Sequence, residues 1–394
     1  MGKYNFDEVI ERRGTDSSKW DDFAARFPGY DTSGAIPMWV ADMDFRVPNE
    51  VIEVIKKKAE LGIYGYPCRK GKEFDNAVKD WLLKRHGLQI ENDWVVATPG
   101  VVAAVTYAVQ AFTKEGDGVL IQPPVYYPFK DRCIKYNNRV AVESPLILKD
   151  GRYEIDFEDF EEKAALETTK LFILCSPHNP VGRVWTKEEL QKVVEICKKH
   201  NVFIFSDEIH SDLILEGYQH TPTALVSGDY KYLIAAYAPS KTFNLAGLKT
   251  SAIIVPDKEV RAQYIRRINQ NEAVGLNLFG AAALEAAYNH GEEYLTELLD
   301  YLKGNIDYAA AFIKENLPGV SVSVTEGTYF LWVDFRGTGL SDREINKKIL
   351  EEAKVAVDLG EWFGEEGKGF ARFNLACPRT IVVEALNRLK KVFG

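Results

Sequence analysis

The sequence has little cysteine and no paired-cysteine motif. Its five cysteines, Cys68, Cys133, Cys175, Cys197 and Cys377, are scattered, odd in number and never spaced as CxxC. That pattern excludes a disulfide scaffold and a thiolate zinc site, and it fits the reducing cytoplasm. An excess of positive charge is also missing. The net charge is −9, from 49 basic and 58 acidic residues, which argues against nucleic acid as a partner. No apolar run is long enough to cross a membrane. The opening stretch MGKYNFDEVIERRGTDSSKW contains no apolar signal core. Repeats and low-complexity tracts are absent as well. What remains is 394 residues, 46% hydrophobic and 27% charged. This is the profile of a globular protein with a sizeable core, and the length suits one large domain plus a smaller one.

The middle of the chain alternates strand-like and helix-like segments. DWVVATPG, GVLIQPP, Leu171 to Cys175, VFIFSDEIH, Tyr232 to Tyr237 and SAIIVP are short apolar runs stopped by glycine, proline or polar residues. Between them, TKEELQKVVEICKKHN is an amphipathic helix. Thr186 and Glu189 have capping-box spacing, and Leu190, Val193, Val194 and Cys197 form one apolar stripe. Continuous apolar strands between amphipathic helices predict an α/β fold, with a mainly parallel central sheet covered on both faces. Glu292 to Leu317 reads as a long helix leaving this core. VSVSV, GTYFLWVDF and SDREINKKILEEAKV beyond it predict a smaller α+β domain. VPNEVIEVIKKKAE, with Pro48 near a helix start, reads as the first helix of the large domain. The expected division is a large domain over 48–290 and a small domain from both chain ends, 1–47 and 291–394.

In parallel α/β sheets, ligands bind beyond the carboxyl ends of the strands. After successive apolar runs come Gly100, Val101 and Val102, opening a helix; then Tyr126; then Asn179, in HNPVG; then Asp207; then Lys241. Parallel neighbouring strands would gather these at one rim. A helix N-terminus for an anion, an aromatic face, an amide, a carboxylate and a lysine together suit an anionic, aromatic, aldehyde-bearing pyridine, pyridoxal 5′-phosphate (PLP).

SPHNPVGRVW, SDEIH and PSKTFNLAGLK resemble the cofactor motifs of fold-type I PLP enzymes, the aspartate-aminotransferase superfamily. The match runs from about residue 35 to the C-terminus. MWVADMDF, GVVAAV, PVYYPF, DEIHSDL, APSKTFN and RFNLACP resemble, within that superfamily, the cystathionine β-lyase and cystalysin-like C–S lyases. The resemblance implies the PLP-dependent transferase fold and a role for each matched residue. Lys241 is the lysine that holds the cofactor aldehyde and moves the substrate Cα proton. Asp207 keeps the pyridine nitrogen protonated. Asn179 donates to the ring 3-oxygen. Tyr126 stacks on the ring, and Tyr127 reaches the substrate. Gly100, Val101 and Val102 hold the phosphate through backbone N–H groups, with Ser240 as a hydroxyl donor.

Some positions depart from the relatives. His210 stands where aspartate aminotransferases have a tyrosine contacting the 3-oxygen, so it either makes that contact or packs beside the cofactor. Ala238 replaces a Ser or Thr, which removes one phosphate contact. Lys249 stands in place of a phosphate-binding arginine and loses the bidentate fork. Tyr66 matches the tyrosine that crosses a homodimer interface to the neighbouring subunit's phosphate. Arg372, flanked by Phe370 and Phe373, matches the arginine that grips the substrate α-carboxylate through two parallel hydrogen bonds. Trp39 either lines the side-chain pocket or packs in the core.

The resemblance favours α,β-elimination from L-cystathionine or a related cysteine thioether, giving a thiol, pyruvate and ammonia. An aminotransferase for aromatic or neutral amino acids is the alternative, and a regulatory protein retaining its PLP site is the third. Dicarboxylate aminotransferases carry a distal-carboxylate arginine before the interdomain helix, and NQNEAVGLNLFG has none.

Overall fold

Strand Thr169–Cys175 shows how the central layer forms. Leu171 and Ile173 point into one buried cluster, Phe172 and Leu174 into another. Both faces are apolar, so the run reads as continuous hydrophobicity and both faces need cover. Helices Val101–Phe112 and Lys258–Gln270 cover the first face. Helices Phe157–Ala164 and Lys187–His200 cover the second. The last of these opens with the reciprocal cap foreseen in the sequence. Thr186 Oγ1 accepts from the Glu189 N–H at 3.2 Å, and Glu189 Oε2 accepts from the Thr186 N–H at 2.8 Å.

The computed structural model describes residues 2–68, 72–273 and 275–394. Its seven-stranded sheet runs in the order Val95–Thr98, Ser251–Ile254, Leu233–Tyr237, Phe203–Asp207, Thr169–Cys175, Gly118–Ile121, Val140–Glu143. Ser251–Ile254 is antiparallel to both neighbours, and the remaining pairs are parallel. Val95–Thr98 therefore points the same way as Leu233–Tyr237, and its end joins the common rim.

A five-stranded sheet draws on both ends of the chain. Its order is Ile36–Met38, Val355–Leu359, Phe370–Asn374, Phe330–Asp334, Ser321–Val322. Ile306, Ala309 and Ile313 of helix Glu292–Asn316 pack on it, as do Val382, Leu386 and Leu389 of helix Arg379–Phe393. Parallel pairing of Ile36–Met38 with Val355–Val357 carries residues 39–44 to the mouth of the larger sheet.

Three elements differ from the sequence reading. Val140–Glu143 is a strand, but it is an edge strand with partly exposed side chains, so it shows no continuous apolar run. VSVSV yields only the two-residue edge strand Ser321–Val322. The helix begun at Asp342 stops at Lys347 and continues to Glu352 as a wider π turn.

Candidate active site

One cleft forms where the parallel strands end. Gly100, Val101, Val102, Tyr126, Asn179, Asp207, His210, Ser240, Lys241 and Lys249 all line it. Ala41, Cys175, Ile209, Ala246 and Thr250 line it too, and none of these was singled out in the sequence.

At one end the backbone makes an anion cradle. Gly100 has φ +109° and starts helix Val101–Phe112, whose first N–H groups lack intrahelical partners. A Cβ at Gly100 would meet nothing within 4 Å, so the glycine serves its backbone angle and not a tight contact. The Ser240 hydroxyl and the exposed Lys249 ammonium lie on the same cleft.

At the centre are two ionisable groups of opposite type, Asp207 buried and Lys241 half-buried. Asp207 ends strand Phe203–Asp207 and accepts from the Ile209 N–H at 3.1 Å. Among the described residues no cation lies within ion-pair distance of it. Burial pushes its carboxyl up to about 7, against the backbone hydrogen bond and the charge of Lys241. A buried carboxylate so poorly satisfied suits a protonated ring nitrogen. Lys241 sits in the turn Pro239–Thr242, just past strand Leu233–Tyr237, and its Nζ donates to the Ala41 carbonyl at 2.7 Å. Burial brings its ammonium down to about 8, and Arg372 adds to the fall, against Asp42 and Asp207. A lysine with that value is about one-tenth neutral at pH 7, far more than an ordinary lysine, which makes it a competent nucleophile.

Two further residues of the cleft flank this pair. His210 is buried edge-on against Tyr329 and Phe330, and its Nδ1 has no hydrogen-bond partner among the described residues. Burial, with Lys241 and Arg372, holds it well below its usual value, so it is neutral. Tyr126 is tied to Asn179 through its backbone N–H, at 3.0 Å from the Asn179 carbonyl. Burial raises its phenol far above the ordinary value.

The other end of the site is cationic. Arg372 lies on strand Phe370–Asn374, stacked 4.0 Å from the Phe330 ring centroid. Its Nη1 donates to Asn179 Oδ1 at 2.8 Å, which leaves the Asn179 Nδ2 as the donor side of that amide. Its Nη2 donates to the Trp39 carbonyl at 2.9 Å and to Asp358 Oδ2. Its Nε is buried with no partner among the described residues, an open donor beside the cleft. Burial raises the Asp358 carboxyl above its ordinary value, and Arg372 and Arg26 pull it back.

Arg372 itself lies outside the cleft lining and meets it through Asn179, and the remaining predicted residues also lie outside. Tyr127 accepts a 2.9 Å hydrogen bond from Arg26. Trp39 packs its indole in the core of the smaller sheet, with its N–H on the Lys19 carbonyl, so only its backbone serves Arg372. Tyr66 is fully exposed and is not among the residues that line its own chain's cleft. Asp358 and Arg26 were missed in the sequence. Their partners lie tens to hundreds of residues away, and no local pattern marks them.

The chain belongs to the aminotransferase class I and II family, whose model matches residues 36–389. Within that breadth it is similar to proteins with lyase names. The cystathionine beta-lyase PatB of Bacillus subtilis is 45% identical over 387 residues, 98% of this chain and 99% of that protein. Cystalysin from Treponema denticola, whose crystal structure contains a pyridoxal 5′-phosphate cofactor, superposes with a TM-score of 0.94 at 38% identity, covering 99% of this chain and 98% of that one. The PLP-bound C–S lyase from Staphylococcus hominis gives 0.92 at 34% identity, again over 99% and 98%.

Proposed function

We propose that this chain is a PLP-dependent C–S lyase. It performs α,β-elimination on L-cystathionine or related cysteine thioethers, giving a thiol, pyruvate and ammonia, with one water consumed. The observation that carries the reading is a lysine sharing one cleft with a buried carboxylate that has no cation within ion-pair distance among the described residues. The similarity to PatB and cystalysin supports elimination over transamination.

When bound, PLP supplies the electron sink for the pair left as substrate Cα loses its proton. The chain's residues do the rest. Gly100, Val101, Val102, Ser240 and Lys249 would hold the phosphate, and Tyr126 would cover the ring. Asp207 would pair as a carboxylate with the protonated ring nitrogen, Asn179 would donate to the 3-oxygen, and His210 would pack beside it. Lys241 Nζ is the nucleophile that would hold the cofactor's aldehyde and, as a free amine, the base for the substrate Cα proton; the Ala41 carbonyl orients that amine. Arg372 aligns the α-carboxylate through Nε and Nη. Tyr127 and the Trp39 backbone frame the substrate end.

The active unit in this reading is a homodimer with shared sites, Tyr66 reaching the partner subunit's phosphate. Its full exposure supports this. Tyr66→Phe is expected to weaken PLP retention, and an active monomer in sedimentation would refute the sharing. The division into 48–290 and the two chain ends belongs to the same reading, the two sheets supporting it. So does the cytoplasm, supported by five free cysteines.

The test is to offer the PLP-loaded protein L-cystathionine with no keto acid. Homocysteine, pyruvate and ammonia are expected in equal amounts. A requirement for a keto acid, with no thiol released, would put an aminotransferase in place of the lyase.

A further inference from the structure

Arg26 closes a ring of contacts around the substrate end of the cleft. It sits on the short helix Phe23–Arg26, near the chain's start. Its guanidinium stacks 3.5 Å from the Trp362 ring centroid and donates from Nη2 to the Tyr127 hydroxyl at 2.9 Å. Its Nη2 is also 3.7 Å from Asp358 Oδ1, while Asp358 Oδ2 binds Arg372. Arg372 continues to Asn179, and Asn179 to Tyr126. One carboxylate thus lies between two guanidiniums. Asp358 is 2% exposed and Arg372 2%, against 26% for Arg26.

The charges of this triad sum to +1, the complement of a single carboxylate. Without Arg26 the sum is zero, and Asp358 would neutralise Arg372 outright. At contact distances in a partly buried site, one unit of charge is a large effect. Asp358 also has to hold Arg372 still, since the buried Nε leaves one face of the fork open. We propose that Arg26 is a positioning residue that sets, through Asp358, the net charge with which Arg372 meets the substrate α-carboxylate. This rests on the lyase reading only for the identity of the substrate.

The test is a charge-balance series in the PLP-loaded protein. The probe is 2-aminoisobutyrate, an amino acid with no Cα proton, whose binding is read from the cofactor's absorbance. Arg26→Met is expected to raise its Kd about tenfold. Arg26→Lys, which keeps the charge but not the stacked fork, is expected within about threefold of the parent. The double variant Arg26→Met with Asp358→Asn returns the sum to +1 while leaving Arg372 an acceptor, and its Kd is expected to return to within about threefold. KM for L-cystathionine should follow the same pattern with kcat nearly constant. A double variant as weak as Arg26→Met, or Arg26→Lys falling as far as Arg26→Met, would overturn the inference and leave Arg26 a packing residue. If Arg26→Met fails to fold, Arg26→Gln makes the same charge change. Absence of thiol from every variant would count against the lyase reading alone, since the binding series needs no turnover.

Discussion

Among the described residues the Asp207 carboxylate accepts one hydrogen bond, from the Ile209 N–H; that of Glu208, the next residue, accepts four. Both are buried. The strand's alternation sends Asp207 into the cleft and Glu208 behind it. There Ser206 Oγ and the Thr223 N–H bind Glu208 Oε1 at 2.9 and 3.0 Å. His220 and the Tyr237 hydroxyl bind Oε2 at 2.8 and 2.6 Å. Asp212 is saturated in the same manner, by Trp81, His86 and Thr242. Burial raises Asp207 to about 7, whereas the donors around Glu208 overcome burial and lower it. A buried carboxylate whose partners are all protein is scaffold. One left short of partners is a place that a ligand completes.

The largest expected effect separates the two on turnover. Asp207→Ala should lower kcat/KM for L-cystathionine by about 10²–10³-fold, the scale of losing one preorganised charge at a reacting centre. Glu208→Gln should leave kcat/KM within about tenfold and instead destabilise the fold by roughly 1–3 kcal/mol, the scale for a buried network left partly unsatisfied. Paired kinetics and thermal melts check this. Equal losses of turnover in both variants would erase the distinction.

The next effect is in pH dependence and has opposite signs at the two residues. In the cofactor-free protein Asp207 binds its proton more tightly folded than unfolded. Its contribution is therefore present below the ordinary carboxyl value and is lost as pH rises from about 4 through about 7. The swing is on the order of 4 kcal/mol. Glu208 is depressed, so its contribution is present above the ordinary value and is lost as pH falls through the lowered one. Urea midpoints from neutral pH down to below the ordinary carboxyl value, for the parent, Asp207→Asn and Glu208→Gln, read both signs. Cofactor should flatten the Asp207 slope by supplying the missing cation.

A smaller effect is expected at Arg372. Arg372→Lys keeps the charge beside Asp358 but cannot form two parallel bonds, and should cost about 1–3 kcal/mol in kcat/KM. PLP retention should be intact. Unchanged kcat/KM would mean that the α-carboxylate is held elsewhere.

The parts of this comparison were unequally legible in the sequence. The cleft-facing residues follow strand ends, and strands buried on both faces announce themselves as apolar runs, so Gly100, Tyr126, Asn179, Asp207 and Lys241 could be picked out by position. Glu208 stood in the same quoted motif as Asp207, yet its role depends on His220, Thr223 and Tyr237, which only the folded chain brings together. Asp358 lies inside VAVDL with no partner near it in sequence; it pairs with Arg372 because the two strands are antiparallel neighbours in register. Arg26 belongs to a four-residue helix too short for a periodic pattern. The edge strand Val140–Glu143 escaped for the converse reason, since exposure dilutes its apolar pattern.

The most direct measurement of the central claim is borohydride reduction of the PLP-loaded protein followed by peptide mass spectrometry. Reduction makes the bond between the cofactor and its lysine permanent. The pyridoxyl group is predicted on Lys241 alone, and on no lysine after Lys241→Ala. Label on another lysine, Lys249 included, would contradict the assignment of the rim as the place where this chain does its chemistry.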